Sequence, residues 1–156
     1  MKIQIVHKGN RNQLICEKKD GTVERADLGP KLPYHDIAHF VVEHQLKFKN
    51  GFYGNIYNGY SVKQLSDKEI IRKLPAESTV SEITTRALQS LAAGACTVEQ
   101  FTEIIHQEFT RYAINFPLAL DEKTIRQMLW EYENLVAQWE QLKDDQGLEL
   151  HFELEN

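Results

Sequence analysis

The feature that most constrains this chain is the segment Leu32-Pro-Tyr-His-Asp-Ile-Ala-His-Phe-Val-Val-Glu-His-Gln-Leu46. Pro33 suits the first turn of a helix, and no further Gly or Pro interrupts the chain before Gly51. Wound at about 100° per residue, Ile37, Phe40, Val41, His44 and Phe48 fall on one side. His35, Asp36, His39 and Glu43 form a polar stripe on the other, with Val42 and Leu46 at its border. A helix that is apolar over most of its surface belongs inside a fold. Four ionisable side chains aligned on such a helix must meet a metal, a ligand, water or a polar partner.

The flanking segments supply what that helix packs against. Residues 2–7 alternate polar and apolar and read as a strand, and Gly9-Asn-Arg-Asn12 as a turn. Residues 13–18, with Leu14 and Cys16 on one face, read as the returning strand. Asp20-Gly21 is a hairpin signal, and Thr22–Ala26 a third strand. Gly29-Pro-Lys-Leu-Pro33 ends this meander and leads into the helix, whose far end is expected at a left-handed cap near Asn50-Gly51. In Gly51-Phe-Tyr-Gly-Asn-Ile-Tyr-Asn-Gly-Tyr60, glycines alternate with aromatics. This suits a short close-packed helix or turn, with Gly54 and Gly59 allowing near approach of backbone.

Three longer helices follow. Val80, Ile83, Ala87, Leu88 and Leu91 repeat at helical spacing within residues 79–93. Thr97 with Gln100 makes a capping box for a helix reaching about Tyr112. Residues 121–145 carry Ile125, Met128, Leu129, Tyr132, Val136, Trp139 and Leu142 on one face. After Gly147, Leu148, Leu150, Phe152 and Leu154 alternate with Glu149, His151, Glu153 and Glu155, the cleanest strand pattern in the chain. It is expected to return to the meander, with Lys2, Lys8, Lys18 and Arg25 available opposite its glutamates. The expected fold is α+β, a single domain over residues 1–156. A four-stranded antiparallel sheet, three N-terminal strands plus the C-terminal one, packs on four to five helices.

Composition narrows the function classes. The chain has 156 residues and a formal net charge of −5. Its acidic balance lacks the basic footprint of a nucleic-acid binder. No apolar run approaches the roughly 20 residues of a membrane span, and no signal peptide opens the chain. Cys16 and Cys96 are far apart and form no CxxC pair, which suits reduced thiols in a cytoplasmic protein and excludes a zinc ribbon. There is no Gly-x-Ser-x-Gly elbow, no P-loop and no dinucleotide fingerprint.

The candidate site is therefore the stripe itself. His35 and His39 at i and i+4 can reach one ion, and Glu43 lies one turn further on. Asp36 can ligate or orient an imidazole, although an acid in a first helical turn also suits the helix dipole. Three readings stay open: a divalent metal such as zinc, a metal-free polar pocket for a small molecule, and a structural network. Weaker candidates are Glu103 and His106, a Glu-x-x-His pair on one helical face, and the aromatic residues Tyr53 and Tyr57, which can line a pocket or seal a helix. Self-association stays open as well, since Trp130 and Trp139 suit a core or an interface.

Leu32-Pro-x-His-Asp-x-x-His-Phe-x-Val-Glu43, with Gly51-Phe-Tyr-Gly54 and Gly59, resembles a family of small bacterial proteins of unknown function. Members of that family open with a short meander and an Asp-Gly turn, followed by Pro-x-His-Asp-x-x-His-x-x-Val-Glu. The resemblance covers roughly residues 13–62 and implies no particular activity. His35-Asp36-x-x-His39 is also similar to the His-Asp-x-x-His zinc proteins of ubiquinone biosynthesis, which carry a glutamate a dozen residues later. Here that position is Gly51, and the nearby acid is Glu43. Taken together, two function classes are expected: a small-molecule enzyme or metal-binding protein built on the stripe, and a non-catalytic interaction module in which the stripe is a buried network.

Overall fold

The computed structural model describes residues 1–155. The chain opens with β1 (Lys2–Val6), β2 (Asn12–Glu17) and β3 (Val23–Leu28), and closes with β4 (Gly147–His151). These form one antiparallel sheet of order β3-β2-β1-β4. Register follows the apolar alternation, because a one-residue slip would turn every apolar side chain to the wrong face. Ile3 lies opposite Cys16 and Leu150, and Ile5 opposite Leu14 and Leu148, all of them buried. Gly21 supplies the φ of +85° that the Asp20-Gly21 turn needs.

Between the strands run α1 (Leu32–Leu46), α2 (Phe52–Tyr57), α3 (Lys68–Ile71), α4 (Ala76–Ala92), α5 (Val98–Arg111) and α6 (Glu122–Gln141). The architecture is α+β, with the C-terminal strand added to the N-terminal meander. Because β4 lies beside β1, Lys2 meets Glu149 at 3.1 Å. Arg25, on β3, lies on the far side of β1 and β2 from β4, whereas Lys18 shares a shallow pocket with Glu153 just beyond β4. Lys8 approaches Asp145 instead, at 3.8 Å.

The α1 helix is enclosed rather than one-sided. Every residue from Asp36 to Glu43 is buried, because α2, α4 and α6 all pack around it. His44 departs from its expected apolar side: it is exposed and stacks on Phe40 with ring centroids 5.4 Å apart. The helix ends earlier than the Asn50-Gly51 signal indicated. Its left-handed cap is Lys47, at φ 57°, whose N–H donates to the Glu43 carbonyl.

That early stop turns the chain back so that α2 lies against α1. Gly54 is the close-approach glycine: a Cβ there would run into the Lys49 carbonyl. Gly59 has open space around it and serves instead through its φ of +112°. The α5 capping box forms as its Thr-x-x-Gln sequence requires, with the Thr97 and Gln100 side chains each accepting from the other's backbone N–H. On α6, Ile125, Met128, Tyr132 and Trp139 are buried, whereas Trp130 is 68% exposed.

Candidate functional site

The site is a seam where two polar stripes meet between otherwise apolar helices. One is the His35/Asp36/His39/Glu43 stripe of α1. The other lies on α4, where Ser78, Glu82, Thr85 and Gln89 follow one another at helical spacing. His39, Glu43 and Thr85 are buried while His35, Glu82 and Gln89 are half-buried at the rim, and the two stripes provide each other with hydrogen-bond partners.

His39 is the hub. Its Nε2 lies 2.8 Å from Glu82 Oε2, and its Nδ1 lies 3.3 Å from both Glu43 Oε1 and Thr85 Oγ1. His35 Nε2 approaches the same Glu82 oxygen at 3.4 Å, while its Nδ1 is 2.8 Å from Gln89 Oε1. The two imidazoles meet edge to face, with centroids 4.7 Å apart. Both Nε2 atoms therefore converge on one carboxylate oxygen, and a different side chain engages each Nδ1. One donor atom from each of His35, His39 and Glu82 lies within 4.8 Å of the other two.

Charge follows this geometry. Burial pushes His39 down, but its hydrogen bonds to Glu43 and Glu82 outweigh that and raise its pKa to about 9. Burial pushes Glu82 up, but the two histidines overcome it and hold the carboxyl well below the usual range. In the metal-free protein at neutral pH, His39 is thus an imidazolium held between two carboxylates. A metal taking Nε2 would replace a proton.

Glu43 is 1% exposed and closes the seam from behind. It accepts from the Tyr53 N–H at 3.3 Å, the Gly54 N–H at 3.0 Å and the Ser81 hydroxyl at 3.4 Å. One carboxylate thus caps the first turn of α2 and fixes the His39 ring. Gly51 matters here for its lack of a side chain: a Cβ would overlap the Glu43 carboxyl.

Asp36 stands apart from this seam. It is 5% exposed, and its Oδ2 is the buried side-chain polar atom left without a partner among the described residues. Burial raises its carboxyl to about 6, against the pull of His39 and His35. Burial, and then the charge of Asp36, push the Cys16 thiol up to about 12, which keeps it a thiol.

A cleft of about 260 Å³ opens beside the seam, with His39 and Glu82 in its wall. Phe52, Leu65, Ile71 and Leu74 make it largely apolar, and Asn55, Ser78 and Thr79 complete it.

The other expected residues fall elsewhere. Tyr53 is buried and donates its hydroxyl to the Asp36 carbonyl at 3.1 Å. Tyr57 packs on Phe152. From the same aromatic run it is Phe52 that reaches the cleft. Glu103 and His106 are exposed on α5, remote from the seam, and Glu103 accepts from Gln107.

Sequence reasoning missed Glu82, the residue that joins the two histidines. Its signal was the polar line on α4, set among residues read only for their apolar stripe. Among the described residues, no helix is long and apolar enough to cross a membrane. Comparison with protein families, with curated proteins and with solved structures gives no match.

Proposed function

We propose that the α1–α4 seam is a divalent-metal site of the zinc type, with His35, His39 and Glu82 as its protein ligands. The observation that carries this reading is the convergence of both Nε2 atoms on Glu82 while each Nδ1 has its own partner. Metal-ligating histidines are characteristically fixed in this way through the second ring nitrogen. Two imidazoles and one carboxylate form a three-donor set that leaves a position open, the arrangement associated with water-activating zinc. The adjoining cleft gives a small molecule access to that position.

The test is metal analysis of protein purified without a histidine tag and supplied with zinc. One zinc per chain is expected, falling to trace levels in Glu82→Ala. Equal zinc in parent and variant would remove the site.

One observation favours a second reading. His39 between Glu43 and Glu82 is already a closed ion-pair network that ties α1 to α4. In that reading the chain is a non-catalytic interaction module. Parent protein that binds no zinc, and that loses stability on Glu82→Ala, would select it.

A further inference from the structure

The cleft beside the seam restricts what could reach it, and the restriction rests on the metal reading above. At about 260 Å³ it is a small cleft. That is room for a compact molecule, below the usual range for drug-sized ligands. Among the described residues no Lys or Arg lines it, so any positive charge in its wall is confined to the seam end, at His39. The only ionisable side chains in its wall are His39 and Glu82, both members of the seam.

The other polar groups are largely committed. Asn55 Nδ2 donates to the Asn50 carbonyl and to Ser78 Oγ, each at 3.0 Å, and the Ser78 hydroxyl itself bonds to the Asn50 carbonyl. These contacts hold the α2–α4 junction together and leave few donors for a polyhydroxylated ligand. What remains is apolar: Phe52 from α2, and Leu65, Ile71 and Leu74 from the segment ahead of α4.

We propose that this cleft takes a small molecule with a compact apolar body and a single polar end. The polar end lies at His39 and Glu82, and the body lies against Phe52, Leu65, Ile71 and Leu74. The same lining offers little to a sugar or a nucleotide, whose polar groups would be spread along the apolar wall.

The experiment is calorimetric titration of the zinc-loaded full chain with straight-chain alkyl hydroxamic acids, from acetyl to hexanoyl, and with inorganic phosphate. Affinity is expected to rise about fourfold per added methylene until the cleft is full. Phosphate, which has no apolar body, is expected to bind more weakly than the hexanoyl compound. Leu74→Gln should flatten the chain-length dependence while zinc content stays at the parent's level. Ile71→Gln, at a more exposed position in the same wall, should flatten it partly. A parent that holds zinc but binds every chain length equally, or prefers phosphate, overturns the cleft assignment and leaves the metal site standing. A parent that holds no zinc overturns both.

Discussion

Helices α1 and α5 each carry histidine and acid at helical spacing, yet the structure treats them in opposite ways. On α1, His39 and Glu43 are 5% and 1% exposed and bonded to α2 and α4. On α5, Glu103 and His106 face solvent, and the hydrogen bond of Glu103 runs to Gln107 within its own helix. Spacing is the same kind of signal in both. The difference is a second polar stripe: α4 offers Glu82, Thr85 and Gln89 to α1, whereas among the described residues no side chain of a neighbouring helix bonds to Glu103 or His106. A single helix sets which side chains can converge, and the helix packed against it decides whether they have anything to converge on.

The largest effect should separate the two helices outright. His35→Ala with His39→Ala should abolish zinc retention, since the seam keeps only Glu82. Glu103→Ala with His106→Ala should leave zinc content at the parent value. Metal analysis of the two double variants, beside circular dichroism to confirm retained helicity, decides the matter. Zinc loss in the α5 variant would move the site.

A steric test comes next. Adding one methyl at Gly51 drives a Cβ into the Glu43 carboxyl. Overpacking a buried site typically costs about 1–3 kcal/mol, and here the displaced group is a buried carboxylate with several partners. Gly51→Ala should therefore lose about 3 kcal/mol in chemical denaturation. A change below about 0.5 kcal/mol would mean that Glu43 relaxes freely and is not the clamp described here.

The metal-free protein should also be pH-sensitive through His39. Its folded pKa of about 9 lies above the ordinary 6.5. Stability from its carboxylate bonds is thus fully present below pH 6.5 and lost as pH rises through 9. At about 1.36 kcal/mol per unit the loss is of order 3 kcal/mol. Asp36, raised from 3.8 to about 6, acts in a different window, since its contribution is gone above pH 6. His39→Asn should flatten the decline between pH 6.5 and 9. An unchanged pH profile in that variant would assign the decline to another group.

These contrasts show what could be read from the chain alone. The sheet was legible because Asp20-Gly21, the alternation of residues 148–154 and the early strands are local signals with fixed periods. The α5 start was legible in Thr97 and Gln100 for the same reason. The α1 stripe was legible as a spacing, and His35, His39 and Glu43 do come together. Glu82 was not, because it lies 43 residues beyond His39 and a contact at that range has no periodicity. Asn50-Gly51 reads as a helix cap, whereas α1 is capped at Lys47 and Gly51 makes room for Glu43. The cleft is equally hidden, since Leu65, Ile71 and Leu74 come from the four-residue α3 and the segments beside it, too short to carry a pattern of their own.

Glu43→Gln refines the comparison at the scale of one hydrogen bond. The amide keeps one acceptor oxygen but turns an NH₂ toward a pocket supplied by the Tyr53 and Gly54 N–H groups. A loss of about 1–3 kcal/mol is expected from that mismatch. In the metal reading the variant should also bind zinc about 10–100-fold more weakly, because the partner of His39 Nδ1 is weakened. Stability loss with zinc affinity unchanged would make Glu43 a purely structural cap of α2.

The smallest expected effect is on α5, and it matters because the chemistry is nominally the same. Glu103→Gln removes a charge whose hydrogen bond, to Gln107 at 3.4 Å, is long and exposed. Water replaces that bond at little cost, and exposed substitutions of this kind stay within about 0.5 kcal/mol. The Glu103→Gln and Glu43→Gln changes are the same swap of a carboxylate for an amide on a helix of the same protein. If burial and the facing stripe on α4 are what distinguish them, chemical denaturation at one pH should show a measurable loss for position 43 and none for position 103. Equal losses would mean that helix propensity or net charge, and not the seam, sets the cost of both.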